Sequence, residues 1–175
     1  MSGVRHLKPG YVITYPNREK AASRLAHAMT IAVLIVSVLV LLLMTLGGWS
    51  KMEGMLPLDL VWCLVYLVMA FYVLRWARGL LPIAAALGAL MLTFAVIALT
   101  GYTGVAWSDR SASGYAPIQS VFGGAGFSPG MMNFLTVLVA ITQIALIAIS
   151  LRAFSQSWNI EYEIPAAQAA ARARS

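Results

Sequence analysis

Charged residues are spaced so that four stretches of the chain, about 25–46, 58–74, 81–100 and 129–153, are almost purely apolar. At 1.5 Å per helical residue they reach from ~25 to ~38 Å, against a hydrocarbon core of ~30 Å. The pattern predicts an all-α integral membrane protein. Four transmembrane helices run up-down-up-down, with residues 1–24 before them and 155–175 after them. The domain plan is therefore a basic N-terminal segment, a four-helix membrane domain over 25–154 and a C-terminal tail.

The punctuation between the stretches agrees with this division. Asn17 is an N-cap candidate for the first helix, and Gly47-Gly48-Trp49 ends it. Pro57 and Pro82 fit the first turns of the second and third helices, where a missing N–H costs little. Asp59 sits favourably near the N-terminus of the second. Arg75-Trp76-Ala77-Arg78-Gly79 is a tight connection that predicts an antiparallel hairpin of the second and third helices. Ser128-Pro129 reads as cap and first residue of the fourth. Before the first helix, Tyr11 to Tyr15 is β-prone and placed to lie on the bilayer surface. After the fourth, Trp158 and Tyr162 read as interfacial anchors. The connection 101–128 is long and rich in glycine and aromatics, a composition that predicts a loop folded back on the membrane surface.

Only the fourth stretch has a regular polar face. Asn133, Thr136, Ala140, Gln143, Ile147 and Ser150 alternate at spacings of three and four, which puts them on one side of a helix. Polar groups at membrane depth need partners, so this seam must face protein or water. Three placements are open: toward the other helices of the bundle, toward a partner's helices, or into a pore of a homo-oligomer. On the third helix, Ala84 and Gly88 form a small-xxx-small pair, as do Ala85 and Ala89. Such pairs let helices approach closely, within the bundle or across a dimer face.

Composition strengthens the membrane reading. The chain is 61% hydrophobic and 10% charged, where a soluble domain carries about 25% charged residues. Its net charge of +6 would suggest nucleic acid in a soluble protein, yet the distribution points elsewhere. With the N-terminus inside and the helices alternating, ten Lys and Arg lie inside and two, Lys51 and Arg110, outside. Arg24, Arg75, Arg78 and Arg152 stand at the helix ends and set that asymmetry. The positive-inside rule selects both termini cytoplasmic, in the plasma (inner) membrane, with no nucleic-acid partner.

Candidate chemistry is sparse. His6 and His27 fall on the inner side, while Ser108, Ser111, Ser113, Ser120 and Asp109 fall on the outer side. A serine–histidine–carboxylate set would have to assemble across a bilayer, which argues against nucleophilic catalysis. His27 is a candidate ligand for a haem-like cofactor at the inner surface, but no second mid-depth histidine accompanies it. Asp109, Ser111 and Ser113, followed by Gly114, have the spacing of the first half of a calcium loop. Ser120 stands where that loop requires a bidentate glutamate. The lone Cys63 permits no disulfide within the chain. No enzyme activity and no cofactor are expected. The expected function is that of a small accessory or scaffold subunit, in contact with the bilayer and with a membrane-protein partner. The alternative is a homo-oligomeric channel or small-solute facilitator lined by the seam of the fourth helix.

Overall fold

The computed structural model describes residues 9–49, 56–100 and 118–172. It is mostly helical. The elements, in order, are β1 (Tyr11–Thr14), α1 (Pro16–Glu19), α2 (Ala21–Gly47), α3 (Leu56–Leu74), a 3₁₀ turn (Arg78–Leu80), α4 (Leu81–Thr100), α5 (Pro129–Ser155), β2 (Tyr162–Pro165) and α6 (Ala166–Arg172). Three helical stretches are long and apolar enough to cross a membrane: α2, the 3₁₀ turn continued into α4, and α5. The fourth, α3, is apolar but shorter.

The long helices share one packing rule. Each buries a seam at alternating three- and four-residue spacing. On α2 it is Thr30, Leu34, Ser37, Leu41 and Met44; on α3 Asp59, Trp62, Tyr66, Met69 and Val73. On α4 it is Leu81, Ala84, Gly88, Met91 and Ala95, and on α5 it runs from Met132 through Thr136, Val139, Gln143, Leu146 and Ser150 to Ala153. A 3.5-residue repeat is the signature of coiled-coil packing at shallow crossing angles. The opposite faces are large and exposed, among them Leu39 and Leu43 on α2, Leu64 and Leu67 on α3, and Ile141 and Ile144 on α5. Such faces suit lipid or other helices rather than water.

Contacts across the seams make α2 antiparallel to both α3 and α5, and α4 antiparallel to α5. The close pairs are α2 with α3, α2 with α5, and α5 with α4. The hairpin predicted for the second and third helices is therefore not a packed pair: α3 and α4 barely meet along their length. Side chains explain this. The small residues Ala84 and Gly88 are spent on α5, where a Cβ on Gly88 would stand 3.2 Å from Ile147 and 3.5 Å from Leu146. Toward α3, Trp62 and Phe94 fill the space edge to face, with ring centroids 6.1 Å apart.

Several boundaries differ from the sequence reading. Asn17 does not cap α2; it lies inside the short helix α1 and its amide donates to the Ser157 carbonyl. Tyr11–Thr14 is a strand whose partner is β2, antiparallel, with Val12 opposite Ile164. The fold thus adds a two-stranded sheet to an otherwise helical molecule. Trp158 is not a surface anchor but fully buried, and the alanine-rich end begins as helix α6.

At the far end of the bundle from the sheet, residues 118–127 close over the end of α2. The backbone N–H groups of Val121 and Phe127 donate to the Leu46 and Gly47 carbonyls, which have no intrahelical partner. Glycine is required at these joints. A Cβ on Gly47 would collide with the Phe127 ring, and one on Gly126 would press on the Gly47 carbonyl.

Candidate functional site

Two polar clusters organise the structure, one inside the bundle and one at its end. The first is centred on Gln143, which is completely buried. The Tyr66 hydroxyl donates to Gln143 Oε1 at 2.7 Å, and Gln143 Nε2 donates to the hydroxyls of Ser37 and Thr142, each at 3.3 Å. Three helices, α2, α3 and α5, are tied at one point. One heptad toward the far end, the Thr136 hydroxyl donates to the Met132 carbonyl and contacts Met44 Sδ at 3.6 Å. As α5 climbs a heptad, α2 descends one. The same register brings Ser150 level with Thr30.

The seam is therefore an interhelical ladder within the chain. Thr136, Gln143 and Ser150 point at the bundle interior, while Asn133 is half-buried. Ile147, on the same flank of α5 as Asn133, meets Gly88 of α4. The ladder is incomplete: the Asn133 Oδ1 atom and the Ser150 hydroxyl are buried without a hydrogen-bond partner, as is the Ser23 hydroxyl.

Asp59 belongs to the same interior. The sequence placed it at a helix end as a dipole partner. It is 3% exposed, and one carboxylate oxygen accepts from Thr45 at 3.4 Å. Its position in the first turn of α3 gives the carboxylate the positive end of that helix. Its spacing of seven residues from Tyr66 was the available signal that it faces inward.

The second cluster lies where the chain's two end segments meet. Trp76 occupies the left-handed position after α3, at φ 65°, where glycine is usual. Its N–H donates to the Val73 carbonyl, and the next N–H, of Ala77, donates to Tyr72. Such a bulky residue at positive φ is strained, and its neighbours hold it. His27 stacks on the Trp76 ring at 4.0 Å, and its Nε2 lies 2.8 Å from the Val73 carbonyl. A carbonyl only accepts, so Nε2 carries the proton. Trp158 packs edge-on against both rings and its indole N–H donates to the Trp76 carbonyl. Arg18 lies over the Tyr15 ring and donates from Nε to the Trp158 carbonyl.

Arg78 completes this clasp. It donates from Nε to Phe154 and from Nη1 to Asn159, and lies over the Phe154 ring. His27 and Arg78 thus satisfy carbonyls at the C-terminal ends of α3 and α5, the negative ends of those helices. Beside them, the Tyr15 hydroxyl donates to Glu161, and this bond holds the phenol above its ordinary pKa.

The other sequence candidates can be placed as follows. His27 uses Nε2 on a backbone carbonyl and one ring face on Trp76, so that nitrogen is not free to bind a cofactor. Asp109, Ser111 and Ser113 lie outside the described residues, whereas Ser120 donates to the Gly123 carbonyl within the turn 118–127. Arg24, Arg75 and Arg152 are exposed, with Arg75 over the Phe71 ring. Among the described residues no three His, Cys, Asp or Glu side chains gather as a metal site. Comparison with protein-family models, curated proteins and solved structures gave no match to this chain.

Proposed function

We propose that this chain is a non-catalytic integral membrane subunit that crosses the inner membrane four times with both ends in the cytoplasm. It serves by packing its apolar outer faces against another membrane protein. The observation that carries this reading is the internal bonding of Gln143. Gln143, the most polar residue at mid-depth, is buried and bonded to Tyr66 and Ser37 of the same chain. Among the described residues the exposed polar side chain near that depth, Thr93 of α4, donates to its own helix at the Ala89 carbonyl.

Two features support four crossings. The sheet pairs β1, which precedes α2, with β2, which follows α5. Both end segments therefore share one face of the bundle, which requires an even number of crossings between them. The shorter helix α3, at 19 residues, spans about 28 Å and supplies the fourth. The excess of Arg and Lys on the segments at the clasped end supports placing that end inside.

A homo-oligomeric pore lined by the seam finds less support, because Gln143 and Thr136 would have to leave their partners and turn outward. Extraction in a mild detergent followed by native mass measurement separates the two readings. A complex with a different membrane protein is the expected result. A homo-oligomer that carries solute flux in liposomes would overturn it.

A further inference from the structure

Among the described residues Phe122 stands apart from every other large apolar side chain: it is 89% exposed. The turn that presents it is built for projection. Gly123 and Gly124 follow at φ 81° and 77°, a conformation glycine adopts without strain, and a Cβ on either would meet nothing within 4 Å. The Ser120 hydroxyl closes the turn onto the Gly123 carbonyl, and Gln119 bridges to Ala125 beneath it. Residues 118–127 contain no charge at all. A loop meant for water would ordinarily carry charge or polar side chains at its tip.

The depth of this turn is fixed by its hydrogen bonds. Val121 and Phe127 donate to the Leu46 and Gly47 carbonyls, so the turn rides on the last residues of α2. The apolar run of α2 from Leu25 to Leu46 is about 33 Å long, slightly more than the hydrocarbon core. Its end therefore lies at the boundary between acyl chains and headgroups, and the turn lies there too. Around it the lipid-facing surface is continuous, with Leu43 and Leu46 exposed on α2 and Met131 and Phe134 exposed on α5. In water a phenylalanine this exposed forgoes the transfer free energy of its ring. At the boundary that energy is recovered, which is the role aromatic belts play.

We infer that Phe122 is a membrane anchor: its ring inserts into the outer leaflet at the headgroup–acyl boundary and fixes the depth of the far end of the bundle. The inference rests on the four-crossing reading, and the occupant is lipid rather than a protein pocket.

A nitroxide placed by Phe122→Cys tests it in vesicles of phosphatidylcholine and phosphatidylglycerol. Cys63 is buried in the core, and unlabelled parent protein controls for it. A second label at Leu67→Cys, on the exposed face of α3, reports whether the bundle is in the bilayer at all. The expected result is that oxygen relaxes both labels more strongly than a water-soluble nickel chelate does. An oxygen preference at position 67 with a nickel preference at 122 would overturn the anchor and leave the membrane reading intact. Low collision with both reagents at 122 would also overturn it, by showing a protein contact. Nickel preference at both positions would overturn the membrane reading itself.

Discussion

Replacing Gln143 by Leu tests the ladder at its most heavily bonded point. Leucine is somewhat larger than glutamine, so no cavity term enters. What is lost is the acceptor for the Tyr66 hydroxyl at 2.7 Å and the donors to Ser37 and Thr142. Interhelical hydrogen bonds in membranes contribute about 0.6–2 kcal/mol each, and an orphaned buried hydroxyl costs about 1–3 kcal/mol. Gln143→Leu should therefore destabilise the bundle by about 2 kcal/mol, and Tyr66→Phe by about 1 kcal/mol. The double variant removes both partners and leaves neither orphaned, so its cost should fall short of the sum by about 1 kcal/mol. The assay is reversible unfolding in mixed micelles of mild detergent and dodecyl sulfate, followed by tryptophan fluorescence. Strictly additive costs, or a Gln143→Leu variant as stable as the parent, would refute the internal ladder.

Other substitutions probe the remaining contacts. Gly88→Leu forces side-chain atoms into Ile147 and Leu146 and should cost about 1–3 kcal/mol in the same assay, with α4 parting from α5. His27→Ala uncaps α3 and unstacks Trp76; a loss of about 1 kcal/mol is expected, together with faster proteolysis of the segment before α2, and unchanged proteolysis would count against the clasp. Asp59→Leu exchanges a buried carboxylate for an apolar side chain and should leave stability unchanged or raise it. A loss of several kcal/mol there would show that the carboxylate holds the fold.

The four helices were legible because their boundaries are local. Gly47-Gly48, Pro57, Pro82 and Ser128-Pro129 act on their own neighbours, and the helix ends fall within a few residues of where those signals stand. The inward positions of α5 were half legible. Thr136, Gln143 and Ser150 do form one edge, but the buried edge is completed by Met132, Val139 and Leu146 rather than by Asn133, Ala140 and Ile147. Hydropathy alone cannot rotate a helix that is apolar all round. The pairing of Tyr66 and Ser37 with Gln143 was not legible, because each is an ordinary residue until a distant helix arrives.

The sheet was missed for the same reason. Tyr11–Thr14 pairs with a segment nearly the whole chain away, and β2 looked like an interfacial tail. The alternation of Glu161 and Glu163 with Tyr162 and Ile164 was the period-two signal that could have raised it. Trp158 was misplaced because tryptophan near a helix end usually marks an interface, and here its indole N–H finds a buried carbonyl instead.

The proposed function stands on four crossings with both ends on the inner face. Cysteines at Val12 and Ile164, paired across the sheet, test this most directly in intact cells. They should cross-link to each other on mild oxidation, and resist a membrane-impermeant maleimide until the cells are opened. Labelling of only one of the two from outside, with no cross-link, would mean an odd number of crossings and would contradict the proposal.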